Sequence, residues 1–401
     1  MKNGYYKENG WWTSPFNEYP EVRGAMQLPA KVAIHDATLR DGEQTPGVVF
    51  SADDKIRIAE MLDEVGVERI EAGMPAVAKV DYDAIKAICK RNLKAKVFAF
   101  ARAMRVDIDQ AVECGADGVV IEIPIGYPKL KYQFKWTWEN VLEKSIDCVN
   151  YARSQGLYVC YFPYDTTRAR DEDLTQLLTG LMKNSPPDSI GLVDTMGCAL
   201  PETIAYLVRK IKKLTGGLTV EVHTHNDFGM AVATELAGVA AGADVIHSCV
   251  NGLGERTGNA ALEELMVGLN LLLGYDNDYK FDKLVGLCQA VEKISGVPLA
   301  ANKPVAGIRN YTRESGIGVD LVMKEPLAMF ATDPHYFGRS GDVVLGKKSG
   351  KASVEYFLDK WGIKVSDEAV AAILEQVKAK GTEKRGLLTL DEFKKIVDSC
   401  R

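Results

Sequence analysis

The sequence predicts an α/β fold in which a closed (β/α)8 barrel is followed by a mainly helical C-terminal appendage. Two observations lead to this prediction. From Lys31 onward, short runs rich in β-branched residues alternate eight times with stretches that have the apolar periodicity of helices. The connections are short, and open doubly wound sheets usually stop at about five or six strands, so eight consecutive units favour a closed parallel barrel.

The predicted strands and helices follow one another in a regular order. Ser51 and Asp54 are typical of a capping box at the start of the first helix. Pro201 and Glu202 mark the start of the sixth helix, and Gly66 is typical of a helix end. The eight predicted strands are Val32–Asp36, Arg69–Gly73, Val97–Ala101, Gly118–Ile123, Tyr158–Pro163, Ser189–Asp194, Thr219–His223 and Val245–Val250.

The pattern divides the chain into three parts. Residues 1–30 form an N-terminal arm rich in aromatic side chains, which we expect to pack on the barrel or on a neighbouring subunit. Residues 31–274 form the catalytic barrel, and residues 275–401 form a C-terminal linker with helical subdomains. The helices predicted in this last part are Leu284–Ile294, Ala352–Trp361, Asp367–Lys380 and Asp391–Ser399.

Composition narrows the possible functions. The chain has 401 residues, of which 46% are hydrophobic and 26% are charged, as in an ordinary globular protein. Its net charge of −6 leaves no basic surplus for binding a nucleic acid. No apolar stretch reaches about 18 residues and no apolar signal segment opens the chain, so we expect a cytoplasmic protein without a membrane span. Eight cysteines without a C-x-x-C pair are typical of reduced thiols.

The strongest local signal is the pair His223 and His225 at the end of the seventh predicted strand. Side chains two residues apart in an extended segment face the same way, so both imidazoles can reach one ion. Neutral imidazoles suit several divalent metals, and one carboxylate would complete a ligand set with positions open for substrate. The alternative is that both histidines only satisfy hydrogen bonds of the loop.

A charged segment, Asp36–Gln44, follows the first predicted strand. In a closed barrel only the eighth strand separates the first from the seventh, so Asp41 is expected to reach the same ion as the two histidines. Arg40 keeps its charge at any working pH and can stabilise a developing oxyanion or hold a carboxylate. On its own, a charged loop of this kind is usually solvated.

A glycine-rich loop, Asn251–Asn259, follows the eighth predicted strand. It lacks the lysine of a P-loop, and it does not follow the first strand as a dinucleotide-binding loop would. Its glycines would let the backbone approach a ligand closely, and Asn259 could bind the metal or a water on it. A tight turn explains the glycines equally well.

These segments together resemble the family of isopropylmalate, homocitrate and citramalate synthases. This family is the metal-dependent, Claisen-condensing branch of a superfamily that also contains the hydroxymethylglutaryl-CoA lyases. The lyase branch carries a reactive cysteine in the loop after the eighth strand, which has none here, so the synthase branch is favoured. The resemblance covers about residues 31–350, and its motifs are Asp36–Gln44, Glu71–Gly73, His223–Gly229, Asn251–Asn259 with Glu263 and Glu264, and Leu345–Gly350.

The resemblance implies a barrel that condenses acetyl-CoA with a 2-oxo acid and then hydrolyses the thioester. It implies a divalent metal (Mg, Mn, Zn or Co) held by Asp41, His223 and His225, with Asn259 supporting it. The other site residues that it implies are Arg40 at the forming alkoxide, Glu255 at the metal end, Thr195 at the substrate carboxylate, and Gln44 and Arg102 in the acid pocket.

The chain departs from the family where a proton-transfer residue is expected. The family motif His-Glu-Ser-Gly-Ile-His reads Arg313–Gly318 here, without either histidine, and Lys348 replaces the histidine of Leu-Gly-Lys-His-Ser-Gly. After the fifth strand, Tyr164 takes the place of a pocket glutamate. The identity of the base is therefore open, and the candidates are Tyr164, Glu255, His335 and Tyr336.

These changes favour a dicarboxylic 2-oxo acid. Compared with the family pattern, this chain lacks one pocket carboxylate and gains the cations Arg313 and Lys348. The surroundings of the substrate are therefore more electropositive, which suits a second substrate carboxylate. Because Tyr164 is bulky, we expect oxaloacetate, giving citrate as in the Re-face citrate synthases of this family, with 2-oxoglutarate, giving homocitrate, as the next choice. Isopropylmalate or citramalate synthesis is the alternative, in which case the two cations form only surface salt bridges.

Two other classes of function stay open. A metal-dependent aldolase or lyase on the same barrel explains the metal residues, and a non-catalytic binding protein explains the missing histidines. In the family the tail completes the site of a neighbouring subunit, which implies a homodimer. The expected partners are therefore acetyl-CoA, a 2-oxo acid and a second copy of the chain, with no nucleic acid and no membrane.

Overall fold

The computed structural model describes residues 4–400, and its largest feature is a closed barrel of eight parallel strands. Each strand pairs with the next along the chain, and the eighth closes on the first in a register that runs from Val245 opposite Ala33 to Ser248 opposite Asp36. The predicted barrel is confirmed. The strands are β1 Ala33–Asp36, β2 Arg69–Glu71, β3 Lys96–Arg102, β4 Gly118–Pro124, β5 Tyr158–Tyr164, β6 Ser189–Asp194, β7 Thr219–Thr224 and β8 Val245–Ser248.

Helices alternate with the strands and pack against them. The first begins at the predicted capping box, where Ser51 Oγ accepts from Asp54 N–H and the Asp54 carboxylate accepts from Ser51 N–H, both at 3.1 Å. It ends at Gly66, whose φ of 99° is left-handed. Within residues 4–400, no helix is long and apolar enough to cross a bilayer. The helices of the barrel unit are α1 Ala52–Val65, α2 Lys79–Cys89, α3 Arg105–Cys114, α4 Trp138–Ser154, α5 Asp171–Asn184, α6 Pro201–Leu214, α7 Ala231–Ala240, α8 Leu262–Val267 and α9 Phe281–Ser295, with one further turn at Pro20–Arg23.

The interior of the barrel is polar on one side and apolar on the other. Strands β7, β8, β1 and β2, which are neighbours in the closed sheet, contribute most of the polar side chains of the interior, and β3 to β6 contribute an apolar cluster. The exceptions are Ser189 of β6, which donates to Glu221, and Glu122 of β4. The two sides meet where rings from non-adjacent strands touch, with 5.0 Å between the ring centres of His35 and Phe98 and 5.7 Å between those of His247 and Phe162. The polar residues are His35, Glu71, Glu221, His223 and His247, and the apolar residues are Phe98, Phe100, Val120, Cys160, Phe162 and Val193.

A second compact unit comprises residues 5–14 and 300–400. Its main hydrophobic cluster is built mainly by helices, and Phe357 and Phe393 are the largest buried side chains of that cluster. It also contains two pairs of two-residue strands, one antiparallel and one parallel. The elements of this unit are the strand pairs Tyr6–Lys7 with Trp11–Trp12 and Thr312–Arg313 with Asp342–Val343, and the helices α10 Val319–Lys324, α11 Lys351–Lys360, α12 Asp367–Lys384 and α13 Leu390–Ser399.

The limits of the two units differ from the boundaries drawn from the sequence. Residues 5–14 of the aromatic arm pack in the C-terminal unit, where Trp11 is buried with its ring centre 5.5 Å from that of Tyr336. Residues 15–30 belong to the barrel unit instead, so the arm is not one element. The barrel unit extends to Leu299, because α9 packs on α1.

Candidate metal centre

Three side chains of the kinds that bind metals meet at the carboxyl end of the barrel strands. Asp41 follows β1, His223 lies near the end of β7, and His225 lies just beyond that strand. Asp41 Oδ2 is 3.4 Å from His223 Nε2 and 3.7 Å from His225 Nε2, and all three residues are buried. One ligand atom from each residue lies within 4.8 Å of the other two. They meet because β8 alone separates β1 from β7 in the closed sheet.

The protonation states of this cluster suit a cation. Burial alone would raise the pKa of Asp41, but the charge of Arg40 holds it well below the usual range of a carboxyl group. Burial lowers the pKa of His225 to about 4 and also lowers the pKa of His223, so both rings are neutral at neutral pH. An ionised carboxylate with two neutral imidazoles is a donor set for divalent transition metals.

Asn259 provides an observation that favours a bound ion. Its Nδ2 donates to the Leu253 carbonyl at 3.0 Å, whereas its Oδ1 is buried without a hydrogen-bond partner. A backbone bridge pairs Asn259 with His225, which places it beside the cluster. A buried amide oxygen is costly unless another group satisfies it, and a cation does so. The residues present therefore fit a divalent metal.

The glycine-rich loop brings its backbone against the same cluster. At Gly254 φ is +144°, and a Cβ there would lie 2.0 Å from Asn259 Nδ2 and 3.0 Å from Asp41 Oδ1. The next residue, Glu255, donates its backbone N–H to Asp41 Oδ1 at 3.3 Å. Of the two explanations for these glycines, the structure supports close approach of the backbone.

Gly254→Ala is expected to damage both the fold and the metal centre, because the new methyl group displaces Asn259 or Asp41 and strains the backbone. We expect the free energy of unfolding to fall by about 2–4 kcal/mol and zinc binding to weaken about tenfold or more. Chemical denaturation and competition with a chromophoric chelator measure the two effects. Gly216→Ala is the matched control, since φ there is +67° but a Cβ meets nothing within 4 Å. Equal losses in both variants would mean that backbone strain alone is responsible.

Arg40 is fixed beside the cluster by two carboxylates. Its Nε donates to Glu71 Oε1 at 2.7 Å, and its Nη1 donates to Asp41 Oδ2 at 2.8 Å. The guanidinium carbon lies 4.5 Å from the centre of the Phe100 ring, and the side chain is buried. Burial alone would raise the pKa of Glu71, but Arg40 lowers it to about 2, so the ion pair persists at neutral pH. One positive charge is therefore held in a set position next to the candidate ligands.

The three predicted substrate-binding residues of the barrel unit all lie at the end of the barrel that carries the cluster. Thr195 Oγ1 accepts from Asp165 N–H at 2.7 Å, so its own hydroxyl proton is left to donate. Asp107 holds Arg102 through Nε at 2.8 Å and Nη2 at 3.0 Å, which leaves Nη1 for another acceptor. Gln44 is exposed at the end of a short turn after β1.

The two barrel residues predicted to transfer protons lie in different surroundings. Tyr164 ends β5, and burial raises the pKa of its phenol, so the hydroxyl stays protonated at neutral pH. The Glu255 carboxylate is exposed and pairs with Arg256 at 3.2 Å. Only the backbone N–H of Glu255 contacts the metal cluster, through Asp41.

The remaining predicted residues belong to the C-terminal unit. Arg313 lies on a two-residue strand, and its Nε donates to the Ile317 carbonyl at 3.2 Å. His335 Nδ1 is 2.9 Å from Asp333 Oδ1 in a short 3-10 turn that also contains Tyr336. The His335 side chain is 76% exposed.

Sequence reasoning misses Glu122, a carboxylate on β4. It is in register with Phe162 of β5 and lies two residues beyond Val120, both of which face the barrel interior, so alternation turns Glu122 inward as well. Burial raises its pKa to about 7 against the opposing charge of Arg40. The signal that could have found it is an acidic residue near the carboxyl end of an otherwise apolar barrel strand.

The fold and this donor set define a class of protein. Residues 31–291 match the HMGL-like family, and residues 305–385 match the homocitrate synthase post-HMGL domain-like family. The chain belongs to the HMGL-like family, which confirms the resemblance found in the sequence.

Its relatives include synthases of several kinds. Homocitrate synthase AksA of Methanopyrus kandleri is 39% identical over 94% of this chain and 95% of the relative. A probable 2-isopropylmalate synthase of Ignicoccus hospitalis is 39% identical over 92% of both chains. (R)-citramalate synthase CimA of Methanocaldococcus jannaschii is 40% identical over 87% of this chain and 71% of the relative. These relatives confirm the prediction of an acyl-transferring enzyme of the synthase type.

Solved structures share the barrel. The hydroxymethylglutaryl-CoA lyase of Pseudomonas aeruginosa aligns with a TM-score of 0.60 and 21% identity, over 71% of this chain and 98% of that chain. At this level of identity the likeness concerns the fold.

Proposed function

We propose that this protein condenses acetyl-CoA with a dicarboxylic 2-oxo acid and then hydrolyses the thioester. The preferred acid is oxaloacetate, giving citrate, or 2-oxoglutarate, giving homocitrate. The observation that carries the proposal is the buried cluster of Asp41, His223 and His225, with the orphan oxygen of Asn259 and the fixed charge of Arg40 beside it. A homocitrate synthase that matches almost the whole chain supports the choice of a dicarboxylic acid.

The proposed metal, one of Mg, Mn, Zn or Co, would be held by Asp41, His223 and His225 with the amide oxygen of Asn259. When bound, such an ion supplies the Lewis acidity that polarises the keto group of the acid. The substrate groups are assigned to side chains at the same end of the barrel. The Thr195 hydroxyl donates to the 2-oxo acid carboxylate, and Gln44 and Arg102 line the acid pocket.

Condensation requires a proton to leave the methyl carbon of acetyl-CoA. The electron pair left on that carbon forms the new bond to the keto carbon, and the pair of the C=O bond moves to oxygen. Arg40 stabilises the negative charge that develops on this oxygen before it takes up a proton. Water then attacks the thioester carbonyl, and the CoA thiolate leaves and is protonated.

We assign removal of the methyl proton to Glu122, because its position on β4 turns the carboxylate into the barrel interior near the carboxyl end of the strand. A carboxylate whose pKa is about 7 can accept a proton at neutral pH, and it can return that proton later in the cycle. The Tyr164 phenol keeps its proton and acts as a hydrogen-bond donor. Glu255 supports the metal cluster through its backbone N–H.

The test is the release of CoA thiol from acetyl-CoA with oxaloacetate, 2-oxoglutarate, pyruvate and 2-oxoisovalerate, each with added divalent metal. We expect a strong preference for one of the two dicarboxylic acids, and the mass of the product separates citrate from homocitrate. Preference for pyruvate or 2-oxoisovalerate would instead place the protein with the citramalate or isopropylmalate synthases. Cleavage of a hydroxy acid without CoA would indicate a lyase, and metal binding without any turnover would indicate a binding protein.

We further propose a homodimer in which the C-terminal unit, through Arg313, completes the site of the neighbouring subunit. Arg313→Ala is then expected to raise the KM for the dicarboxylic acid about tenfold or more, because one substrate carboxylate loses its cation. The KM for acetyl-CoA is the internal control and should not change. Light scattering on the purified protein measures the subunit count. A monomer, or an unchanged KM for the acid, would contradict the proposal.

A further inference from the structure

A line of buried polar contacts runs from His223 away from the metal cluster. His223 Nδ1 is 3.3 Å from His247 Nδ1, and His247 Nε2 is 2.9 Å from Glu221 Oε2. The other carboxylate oxygen of Glu221 accepts from Arg69 Nη1 at 2.8 Å. His223, His247 and Glu221 are each no more than 2% exposed. Of these four residues, only His223 has a part in the proposed reaction.

Only one arrangement of protons satisfies this line when His223 binds a metal. His223 Nε2 faces Asp41, so Nε2 is the ligand atom and the ring must carry its proton on Nδ1. That proton is donated to His247 Nδ1, which must therefore be an acceptor. The proton of His247 then lies on Nε2 and is donated to Glu221, whose charge is balanced by Arg69.

We propose that His247 and Glu221 are positioning residues, which hold His223 in the tautomer and ring orientation that present Nε2 to the metal. A metal-binding histidine commonly donates its second ring N–H to an acceptor, and loss of that acceptor weakens the site. Here the acceptor is a second histidine, and the carboxylate that anchors it lies one step further from the ion. The inference rests on one part of the proposed function, namely that His223 is a ligand of the metal.

His35, Glu221 and His247 also lie close enough together to suggest a second metal site. The ring geometry argues against it. The rings of His35 and His247 are stacked, with centres 4.4 Å apart and planes only 4° from parallel. A ligating nitrogen directs its lone pair within its ring plane at an ion about 2.0–2.1 Å away, and two parallel stacked planes do not meet at one ion. The geometry therefore assigns Glu221 and His247 to the orientation of His223 rather than to a second ion.

The test is titration of the chelator-stripped 401-residue protein with Co²⁺, in which the visible absorption of the bound ion is measured. His247→Leu, which removes the acceptor, is expected to bind Co²⁺ about 10–100-fold more weakly than the wild type. His247→Asn restores an acceptor oxygen near Nδ1 and should recover affinity to within about threefold of the wild type. Asp41→Asn is the control for the site of binding. Because this variant lacks the carboxylate ligand, it should lose the Co²⁺ absorption band if the band arises at the proposed site.

His35→Phe is the matched control. It changes an equally buried ring stacked on His247. The ring nitrogens of His35 make no hydrogen bond, and their nearest carboxylate oxygens are those of Glu71 at 3.6 Å and Glu221 at 3.8 Å. We therefore expect its Co²⁺ affinity to stay within about threefold of the wild type. Equal losses in His247→Leu and His35→Phe would assign the effect to packing and overturn the inference, and so would wild-type affinity in His247→Leu.

Should His247→Leu fail to fold, Glu221→Gln provides the second test. The substitution keeps the shape of the side chain but places an uncharged amide between Arg69 and His247, and we expect about tenfold weaker Co²⁺ binding. Wild-type affinity in this variant would overturn the inference. Co²⁺ titration does not use acetyl-CoA, so it tests the positioning role of His247 and Glu221 independently of the proposed condensation reaction. Binding that depends on His247 without any condensation would refute only the proposed function, whereas condensation without that dependence would refute only the positioning role.

Discussion

Asp41→Asn is expected to lower the rate of CoA release by about 10³-fold or more. Asp41 is the carboxylate of the candidate ligand set, and it also accepts from Arg40 at 2.8 Å and from the backbone of Glu255 at 3.3 Å. Asparagine keeps the shape but removes the negative charge that attracts the ion and holds Arg40. The measurements are the rate of CoA release and the metal content after dialysis, and both should fall together.

Asp165→Asn is the control for loss of a buried carboxylate at the same end of the barrel. Asp165 is paired with Arg168 through two bonds of 2.8 Å but lies outside the metal cluster. We expect its metal content to match that of the wild type and its activity to stay within about tenfold. An Asp41→Asn variant that keeps metal and activity would remove the basis of the proposed site.

Arg40→Lys is expected to lower kcat by about 10²–10³-fold with a smaller change in KM. Lysine keeps the charge but cannot reproduce the planar fork that contacts Glu71 through Nε and Asp41 through Nη1. The positive charge then no longer occupies a fixed position where the negative charge of the keto oxygen develops. Steady-state kinetics with varied 2-oxo acid separate kcat from KM.

Glu71→Gln shows whether the position or the mere presence of Arg40 matters. It leaves the guanidinium in place but removes one of its two anionic partners, so we expect a loss in kcat smaller than that of Arg40→Lys. A wild-type kcat in Arg40→Lys would show that a diffuse positive charge suffices. Melting temperatures of both variants are needed beside the kinetics, because each leaves a buried charge with fewer partners.

The barrel was predictable because its signals are local. Each predicted strand ends within about two residues of the observed one, and the largest differences lie at β2, which ends at Glu71, and at β8, which ends at Ser248. After Ser248 the chain turns into a 3-10 segment in which Asn251 has a φ of +63°. The strand was predicted to continue to Val250 because the apolar residues continue to that position in the sequence. The grouping of Asp41 with His223 and His225 was equally accessible, since it needs only the His-x-His spacing and the order of strands in a closed barrel.

The contacts that orient these side chains were not predictable. His247 stands in an apolar strand pattern, and only the register of β8 against β7 and β1 places it against His223. The partner of the aromatic arm was hidden for a similar reason, because Trp11 packs on a ring more than 300 residues away in the chain. Interactions between distant segments leave no periodicity that one sequence can display.

The division of the barrel interior into a polar and an apolar side has a consequence for divergence. On the polar side, replacing one member such as Glu221 or His247 leaves a buried partner unsatisfied, so single changes there are selected against. On the apolar side, exchanges that conserve volume at positions such as Val120 or Val193 cost less than about 1.5 kcal/mol. We therefore expect family members to vary at the apolar interior positions of β3 to β6, while Glu122 and the polar side of the interior stay constant.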